Sequence, residues 1–179
     1  MTPQQLTALK TELQTDPAAL GYAPLITAGS MGALADLLNA LAVPEFWVWR
    51  TLVTKDEYTQ VASIDDTTFN WTGTGFITRS QGERDAWREL FNGGGAGAGR
   101  GGNAVNPSLP NVRQAFSDIF SGGTAPAPAN RTHLAVVSRR KASRAERIFA
   151  TGTGSTASPG VMTFEGIVSP DNVIEALRS

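Results

Sequence analysis

The chain has 179 residues, of which 41% are hydrophobic and 17% are charged, and its formal net charge is −1. This length suits one domain that buries its own core, and the near-neutral charge gives no overall attraction to nucleic acid or to anionic membranes. Cysteine is absent, which excludes disulfides, thiolate nucleophiles and cysteine-ligated metals and favours synthesis in a reducing cytoplasm. No apolar run approaches the ~20 residues of a membrane span, so we expect a soluble protein without membrane contact.

The first part of the chain predicts helices with one apolar face. Residues 2–5 (Thr-Pro-Gln-Gln) combine a capping residue, a proline at the first helical position and a glutamine that can complete the cap, so a helix is predicted over about 3–14. A leucine stripe at helical spacing predicts another helix between Ser30 and Pro44. Residues 46–53 are aromatic and β-branched and favour a strand, although a helix there stays open.

The middle of the chain alternates short helical patterns with segments rich in glycine or proline. Residues 54–57 (Thr-Lys-Asp-Glu) match a capping box and predict a short helix, and the apolar residues of 75–91 share one helical face. Residues 92–109 begin with NGGGAGAGRGG and are expected to form a flexible loop. A short helix is predicted over about 110–120, and residues 122–130 form a proline-rich linker.

A longer helix is predicted from 130 to 149, and its polar side is basic. Between residues 131 and 147 there are six cations and one anion, Glu146. This surface is a candidate contact for DNA phosphates or for acids of a neighbouring subunit. Since the chain as a whole is not basic, a solvated or subunit-pairing surface is favoured over a DNA-binding one. The candidate residues are Arg139, Arg140, Lys141, Arg144 and Arg147.

The glycine, serine and threonine run after this helix raises a choice between a phosphate-binding loop and a hinge. Residues 152–157 fit the loose dinucleotide pattern G-x-G-x-x-A. That fingerprint needs a strand before it and a helix after it, whereas here a basic helix is predicted before it and Ser-Pro-Gly follows. A hinge is therefore the preferred interpretation. The hinge residues are Gly152, Gly154, Pro159 and Gly160.

Beyond the hinge, residues 161–168 alternate enough to predict a strand, and a last helical turn or two is predicted from Ser169. A lone strand in a mainly helical chain has no obvious partner within it, and an unpaired strand is marginal in water. We therefore expect this C-terminal arm to pair with another molecule by strand addition. The docking residues are Val161, Met162, Thr163, Phe164, Glu165, Ile167 and Val168.

The residues that catalysis or metal binding would need are scarce. His133 is the single histidine, so a cluster of histidine ligands cannot form and a Ser-His-Asp triad would have to use this residue. Asp65 and Asp66 lie between a serine and two threonines and predict a turn and a helix cap. The sequence therefore predicts a protein that is not an enzyme, with no catalytic, cofactor-binding or metal-binding residues.

Together these patterns predict a mainly α protein, a small helical bundle with a long glycine-rich loop and an extended C-terminal arm that contains a short strand. Residues 1–149 would form the helical body, and residues 150–179 would form the hinge and the arm. A modest helical core with a long loop and a projecting strand suits the subunit of a ring or shell, which uses such parts to grip its neighbours.

Several stretches resemble one group of proteins. Residues 144–154 (RAERIFATGTG), 157–159 (ASP) and 163–166 (TFEG) are similar to the C-terminal end of small proteins encoded in the morphogenesis gene blocks of tailed bacteriophages. Residues 46–51 (FWVWRT) and the leucine-rich opening helices resemble the front of the same group. The similarity covers most of the chain and is weakest over about 55–110. The chain therefore resembles virion morphogenesis proteins.

Within that group the predicted architecture is similar to head–tail connector, or adaptor, proteins, which form a twelve-fold ring under the portal and press their C-terminal arms against it. The resemblance implies a structural virion protein of the phage neck, made in the host cytoplasm. Its implied partners are further copies of itself, the portal protein and tail or neck proteins, with passing DNA as a further candidate. It implies no catalytic residue and no cofactor.

Two alternatives stay open at this point. A head-decoration or other minor virion protein would bind the capsid lattice and not the portal. A DNA-binding accessory protein would place the basic residues of the predicted helix 130–149 on phosphates, and its affinity would fall steeply with salt.

Overall fold

The structure is a computed structural model that describes residues 1–59, 81–92, 103–123 and 127–179. Helices dominate these ranges, and the predicted mainly α class is confirmed. The helices are α1 (Pro3–Thr15), α2 (Tyr22–Thr27), α3 (Met31–Asn39), α4 (Lys55–Thr59), α5 (Gln81–Asn92), α6 (Pro110–Ile119), α7 (Ala127–Val137), α8 (Arg144–Ile148) and α9 (Pro170–Arg178). No helix in the described ranges is both long and apolar enough to cross a membrane.

The strands are short and pair two by two. They are β1 (Trp47–Trp49), β2 (Val53–Thr54), β3 (Ala104–Val105), β4 (Arg139–Lys141), β5 (Ala150–Thr151) and β6 (Val161–Met162). β1 pairs with β4, β2 with β3, and β5 with β6. The last two pairs are antiparallel, with Val53 opposite Val105 and Ala150 opposite Met162. The strand prediction for the aromatic segment 46–53 is thus confirmed at both of its ends.

Local capping signals start several helices where the sequence predicts. The Thr2 hydroxyl accepts a hydrogen bond from the Gln5 backbone N–H, and the Gln5 side-chain oxygen accepts one from the Thr2 backbone N–H. Ser169 and Asn172 cap α9 in the same way. These reciprocal bonds satisfy backbone N–H groups that have no partner inside the helix.

The described residues form two compact units. The first unit combines Met1–Val48 with Arg140–Ser179, and the second unit is Trp49–Arg139. This division differs from the predicted one, which separated a helical body, 1–149, from an arm, 150–179. The reason is hydrophobic burial, because the C-terminal residues complete the core of the first unit.

The core of the first unit joins residues from both ends of the chain. Its buried side chains are Leu6, Leu9, Leu13, Tyr22, Leu34, Ala35, Leu38, Ala145, Phe149, Val168, Val173 and Ala176. Helix α9 packs against α1 and α3. Each buried aliphatic side chain of this kind contributes about 1.5–3 kcal/mol relative to an exposed one, so α9 belongs to the folded body.

The core of the second unit is mostly aromatic. The Tyr58 ring meets Trp87, Phe91 and Phe116 edge to face, with ring centroids 6.5, 5.9 and 5.4 Å away. The Tyr58 hydroxyl lies 2.8 Å from the Ser138 hydroxyl, which satisfies its polar end. Edge-to-face pairs add about 0.5–1.5 kcal/mol each beyond their buried area, and they hold α4, α5 and α6 together.

The prediction of one helix from 130 to 149 is wrong. The chain instead forms α7, then β4, then α8. Ser143 accepts a hydrogen bond from the Glu146 backbone N–H, and the Glu146 carboxylate accepts one from the Ser143 N–H, so a new helix begins there. The Ser-x-x-Glu pattern of a capping box was the sequence signal for this break.

Several predictions lie wholly or partly outside the described residues. These are residues 75–80 of the predicted helix 75–91, residues 93–102 of the predicted glycine-rich loop, residues 124–126 of the predicted linker, and the turn at Asp65 and Asp66. The described remainder of the predicted loop contains β3, which pairs with β2.

Candidate functional site

The predicted hinge is a packed loop in the folded first unit. The Trp47 backbone N–H donates to the Gly154 carbonyl at 2.7 Å, and the Gly160 N–H donates to the Trp47 carbonyl at 2.8 Å. Gly154, Pro159 and Gly160 are buried. A Cβ at Gly154 would overlap the Phe46 ring, and one at Gly160 would lie 2.7 Å from it. The glycines therefore permit this loop to pack closely on residues 46–48. These contacts hold the loop in place, so it is not a free hinge.

The same loop also lacks the form of a nucleotide-binding fingerprint. It joins β5 to β6, whereas the dinucleotide loop joins a strand to a helix. Its polar groups bond within the loop, where the Ser158 N–H donates to the Ser155 hydroxyl at 2.9 Å and the Thr153 hydroxyl donates to the Ser158 carbonyl at 3.1 Å. Gly152 has a φ of +97° and lies exposed at the loop's start. These hydrogen bonds stabilise the conformation of the loop itself.

The predicted docking strand has a partner inside its own chain. β6 pairs with β5, so the expectation that this strand needs another molecule is wrong. The Thr163 hydroxyl donates to the Phe149 carbonyl at 2.6 Å, and the Phe164 ring packs edge to face on Phe149 at 5.2 Å between centroids. The prediction missed β5 because its two residues, Ala150 and Thr151, begin the segment 150–179 that was predicted as hinge and arm.

Val168 anchors the far end of the arm. The Asn39 side-chain amide donates to the Val168 carbonyl at 2.9 Å, and its oxygen accepts from the Val168 N–H, also at 2.9 Å. The Val168 side chain is fully buried. Its neighbour Ile167 points away from the core and is 78% exposed.

Two further large apolar side chains that follow Asn39 closely in the sequence are also exposed. Leu41 is 62% exposed and Val43 is 61% exposed. Leu41 follows Asn39 by two positions, and Ile167 precedes Val168 by one, so both flank the paired bonds that join Asn39 to Val168. We call Leu41, Val43 and Ile167 the apolar group of the first unit. The bonds between Asn39 and Val168 hold the segments that carry Leu41 and Ile167 together, and large exposed apolar patches mark surfaces that bind a partner.

Arg144, one of the predicted DNA or subunit contacts, is a buried structural cation. Its guanidinium lies 2.6 Å from the Glu12 carboxylate, and the two side chains are 5% and 8% exposed. The Tyr22 hydroxyl donates to the same carboxylate at 3.2 Å. Burial and the neighbouring Glu12 carboxylate raise the pKa of Tyr22 to about 12. Arg144 therefore cannot reach a phosphate or another subunit in this fold.

Arg140 lies in a second carboxylate network. It donates to both Glu146 oxygens, at 2.7 and 2.6 Å, and to Glu165 of the arm at 3.1 Å. Burial opposes the Glu146 carboxylate, but the bonds from Arg140 and from the Ser143 backbone outweigh it, and the pKa of Glu146 is lowered. This network ties β4 and α8 to the arm.

The other predicted basic contacts also have partners within the chain or lie in a strand. Lys141 pairs with Glu45. The Arg147 guanidinium donates to the Pro44 carbonyl at 2.9 Å and lies over the Phe46 ring. Arg139 belongs to the second unit and is half-buried at the start of β4. The predicted local charge excess omitted Glu12, Glu45 and Glu165 because they lie far away in sequence.

The second unit contains a cleft that no sequence pattern predicted. We call it the cationic cleft, with a volume of about 180 Å³ between β1, α6 and α7. It is lined by Trp49, Arg113, Phe116, Ser117, Arg131 and Leu134, among others. The Arg113 guanidinium stacks over the Trp49 ring, 4.7 Å from its centroid. The residues come from three separate elements, so only the fold brings them together.

A groove of opposite charge lies on α5 and α6 of the same unit. We call it the acidic groove, and its volume is about 390 Å³. It is lined by Ala86, Glu89, Leu90, Ala115, Asp118 and Ile119. Its carboxylates are exposed, whereas Ile119 is buried at its floor.

Among the residues that the structure describes, no three histidine or carboxylate side chains are placed to hold a metal ion. Comparison with protein-family models, curated proteins and solved structures finds no match for this chain. The functional interpretation therefore depends on the residues and their geometry.

Proposed function

We propose that this chain is a non-enzymatic structural subunit of a tailed-phage virion, a head–tail connector that assembles into a ring, joins the portal to the tail and surrounds the DNA channel. The observation that carries the proposal is the exposure of the apolar group of the first unit, Leu41, Val43 and Ile167, on the two chain segments that the Asn39–Val168 bonds join. Its position at the predicted docking arm supports a partner surface there.

The arm would dock as a folded surface and not by giving up its strand. β6 is paired with β5 and Val168 is in the core, so detaching the arm would open the first unit. Ile167 can reach a portal protein without any such opening, because 78% of its surface is already exposed. Rigid docking of a preformed surface avoids the free energy cost of ordering a loose segment.

The charge distribution favours this proposal over a DNA-binding accessory protein. Such a protein needs cations that can release counterions from phosphates. Arg144 is buried against Glu12, and Arg140 is held by two carboxylates. A connector whose channel only lets DNA pass needs no such contacts.

The test is quantitative mass spectrometry of purified virions for this protein against the portal protein. We expect copy numbers close to those of the portal, with a twelve-fold ring as the expected assembly. Hundreds of copies per particle would favour a head-decoration or other capsid protein. Absence of the protein from the particle would overturn the virion proposal altogether.

The docking surface is tested by Ile167→Glu, with Leu52→Glu as a matched control, since Leu52 is 48% exposed in the second unit. We expect virions or portal pull-downs to lose the Ile167 variant and to retain the control. Equal retention of both variants would contradict a portal contact at the apolar group.

A further inference from the structure

We propose that the second unit binds a second copy of this chain head to tail, with the cationic cleft of one copy seated on the acidic groove of the next. This inference rests on the proposed ring and deepens it, because it names the surfaces through which the subunits would meet. The two surfaces lie on opposite sides of α6.

The geometry of α6 places the two surfaces back to back. Arg113, Phe116 and Ser117 line the cationic cleft. Ala115, Asp118 and Ile119, which line the acidic groove, each follow one of these residues by two positions. Two positions correspond to about 200° around a helix of 3.6 residues per turn. When copies associate head to tail through these two surfaces, each terminal copy of an open oligomer therefore keeps one of the surfaces free.

Among the described residues, the two guanidiniums of the cleft donate hydrogen bonds only to backbone carbonyls. Arg113 donates to the carbonyls of Pro107 and Ser108 at 2.6 and 2.7 Å. Arg131 donates to the Gly122 carbonyl at 3.0 Å and to the Phe120 carbonyl. Within the described ranges neither arginine forms a salt bridge, in contrast to Arg50, Arg140, Lys141 and Arg144. Burial also lowers the pKa of Arg113. A carboxylate would neutralise this half-buried positive charge.

The acidic groove supplies that carboxylate. In the described part of the chain, Glu89 and Asp118 have no cationic partner, and the Asp118 carboxylate accepts only the hydrogen bond that the Gln114 side-chain amide donates at 2.8 Å. Leu90 and Ile119 give the groove an apolar floor, as Phe116 and Leu134 do in the cleft. The two surfaces thus match in polarity and are opposite in charge, which is the complementarity that selects a partner.

These observations favour a second copy of this chain as the partner, because the same chain carries both the cationic cleft and the acidic groove. Different surfaces that bind each other make a heterologous contact, and such contacts close into rings or continue as filaments. A ring-forming subunit needs a contact of this kind.

The experiment compares the oligomeric state of full-length variants by native mass spectrometry and sedimentation. Glu89→Lys/Asp118→Lys changes two exposed side chains and should leave the fold intact. We expect it to weaken self-association by at least about 100-fold, since reversing each desolvated charge pair costs at least about tenfold. The control Asp36→Lys/Glu175→Lys makes the same charge change at exposed residues of the first unit and should associate like the wild type.

A charge swap makes the test specific. Arg113→Glu/Arg131→Glu should not self-associate, but mixing it with Glu89→Lys/Asp118→Lys should restore assembly with alternating copies. Where the arginine variant loses its circular dichroism signal, Ser117→Trp replaces it, since this exposed residue lines the cleft and tryptophan would fill it. That variant should block assembly without changing charge.

A monomeric wild type at all concentrations, equal weakening by the control, or undiminished assembly of both Glu89→Lys/Asp118→Lys and Ser117→Trp would overturn the proposal. These outcomes are separable from failure of the proposed function. A protein that assembles through these faces but is absent from virions contradicts only the connector role, whereas a virion protein whose oligomer survives the variants contradicts only this interface.

Discussion

The Arg144 guanidinium lies 2.6 Å from the Glu12 carboxylate, although 132 positions separate the two residues in the chain. Both side chains are buried, and the Tyr22 hydroxyl donates to the same carboxylate. The pair joins α1 to α8 inside the first unit. Removing one partner leaves an uncompensated buried charge, which is far more costly than removing both.

We therefore predict that Arg144→Met and Glu12→Gln each lower the free energy of unfolding by about 3–5 kcal/mol. The double variant Glu12→Leu/Arg144→Met should be more stable than either single variant, because no charge stays unpaired. Urea denaturation followed by circular dichroism measures all three. The control is Lys141→Ala, which breaks an exposed pair with Glu45 and should change the free energy of unfolding far less than either single variant. Single variants as stable as this control would show that the buried pair has no structural role.

Gly154 should tolerate alanine poorly for a packing reason. Its φ is +66°, and an added Cβ would overlap the Phe46 ring. Gly29 has a similar φ of +68° but no atom within 4 Å of such a Cβ. We expect Gly29→Ala to cost about 1 kcal/mol for the left-handed backbone alone, and Gly154→Ala to cost about 1–3 kcal/mol more for the overlap. Equal thermal unfolding of the two variants would argue against close packing of this loop.

Both tyrosines of the chain, Tyr22 and Tyr58, are buried. Burial raises the pKa of Tyr22 to about 12 and raises that of Tyr58 as well. Since the folded pKa values lie above the unfolded value of 10.0, their contribution to stability is complete below pH 10 and is lost as the pH rises through the folded pKa values. We predict almost no tyrosinate absorbance from the native protein at pH 10–11, and a midpoint of about 10 in concentrated urea. A native titration with the urea midpoint would contradict the burial of both rings.

Glu146 should stabilise the protein only while it is ionised. Its folded pKa lies below the ordinary value of 4.5, so its contribution is present above that pH and is lost as the pH falls through the folded pKa. We predict that Glu146→Gln lowers stability by about 1.5–3 kcal/mol at neutral pH, and that the difference from the wild type shrinks on acidification. Denaturation curves at several pH values measure this. A difference that stays constant with pH would assign the effect to packing and not to charge.

Deletion of residues 160–179 should unfold the first unit. The deletion removes β6, the fully buried Val168 and helix α9, whose Val173 and Ala176 are also fully buried. By contrast, Ile167→Glu changes an exposed side chain and should keep the fold. Hydrogen exchange should show loss of protection in α1 and α3 for the deletion alone. Persistent protection in these helices would restore the view of the C-terminal segment as a detachable arm.

The sequence alone predicts where some helices begin, because a capping signal spans only a few positions. These predictions are the helix starts at Thr2 and Ser169 and the capping box at residues 54–57. The Thr54 hydroxyl accepts from the Glu57 N–H, and Glu57 also accepts from the Thr54 N–H, as the pattern predicts. The break at Ser143 carried the same signal but lay inside a run whose apolar spacing fits one long helix. Where two local patterns compete, tertiary contacts choose, and here β4 pairs with β1.

The amino-acid sequence by itself determined the mainly helical class, the helix caps at Thr2, Thr54 and Ser169 and many of the buried apolar positions, because these follow from residue propensity and short-range periodicity. Only the tertiary structure decided which charges stay available. Arg140, Lys141 and Arg144 read as a basic surface along the chain, yet Glu146 and Glu165, Glu45 and Glu12 neutralise them in space. Except for Glu146, these acids come from distant segments, and Arg113 and Arg131 share one cleft for the same reason, since the packing of separate elements sets a side chain's neighbours.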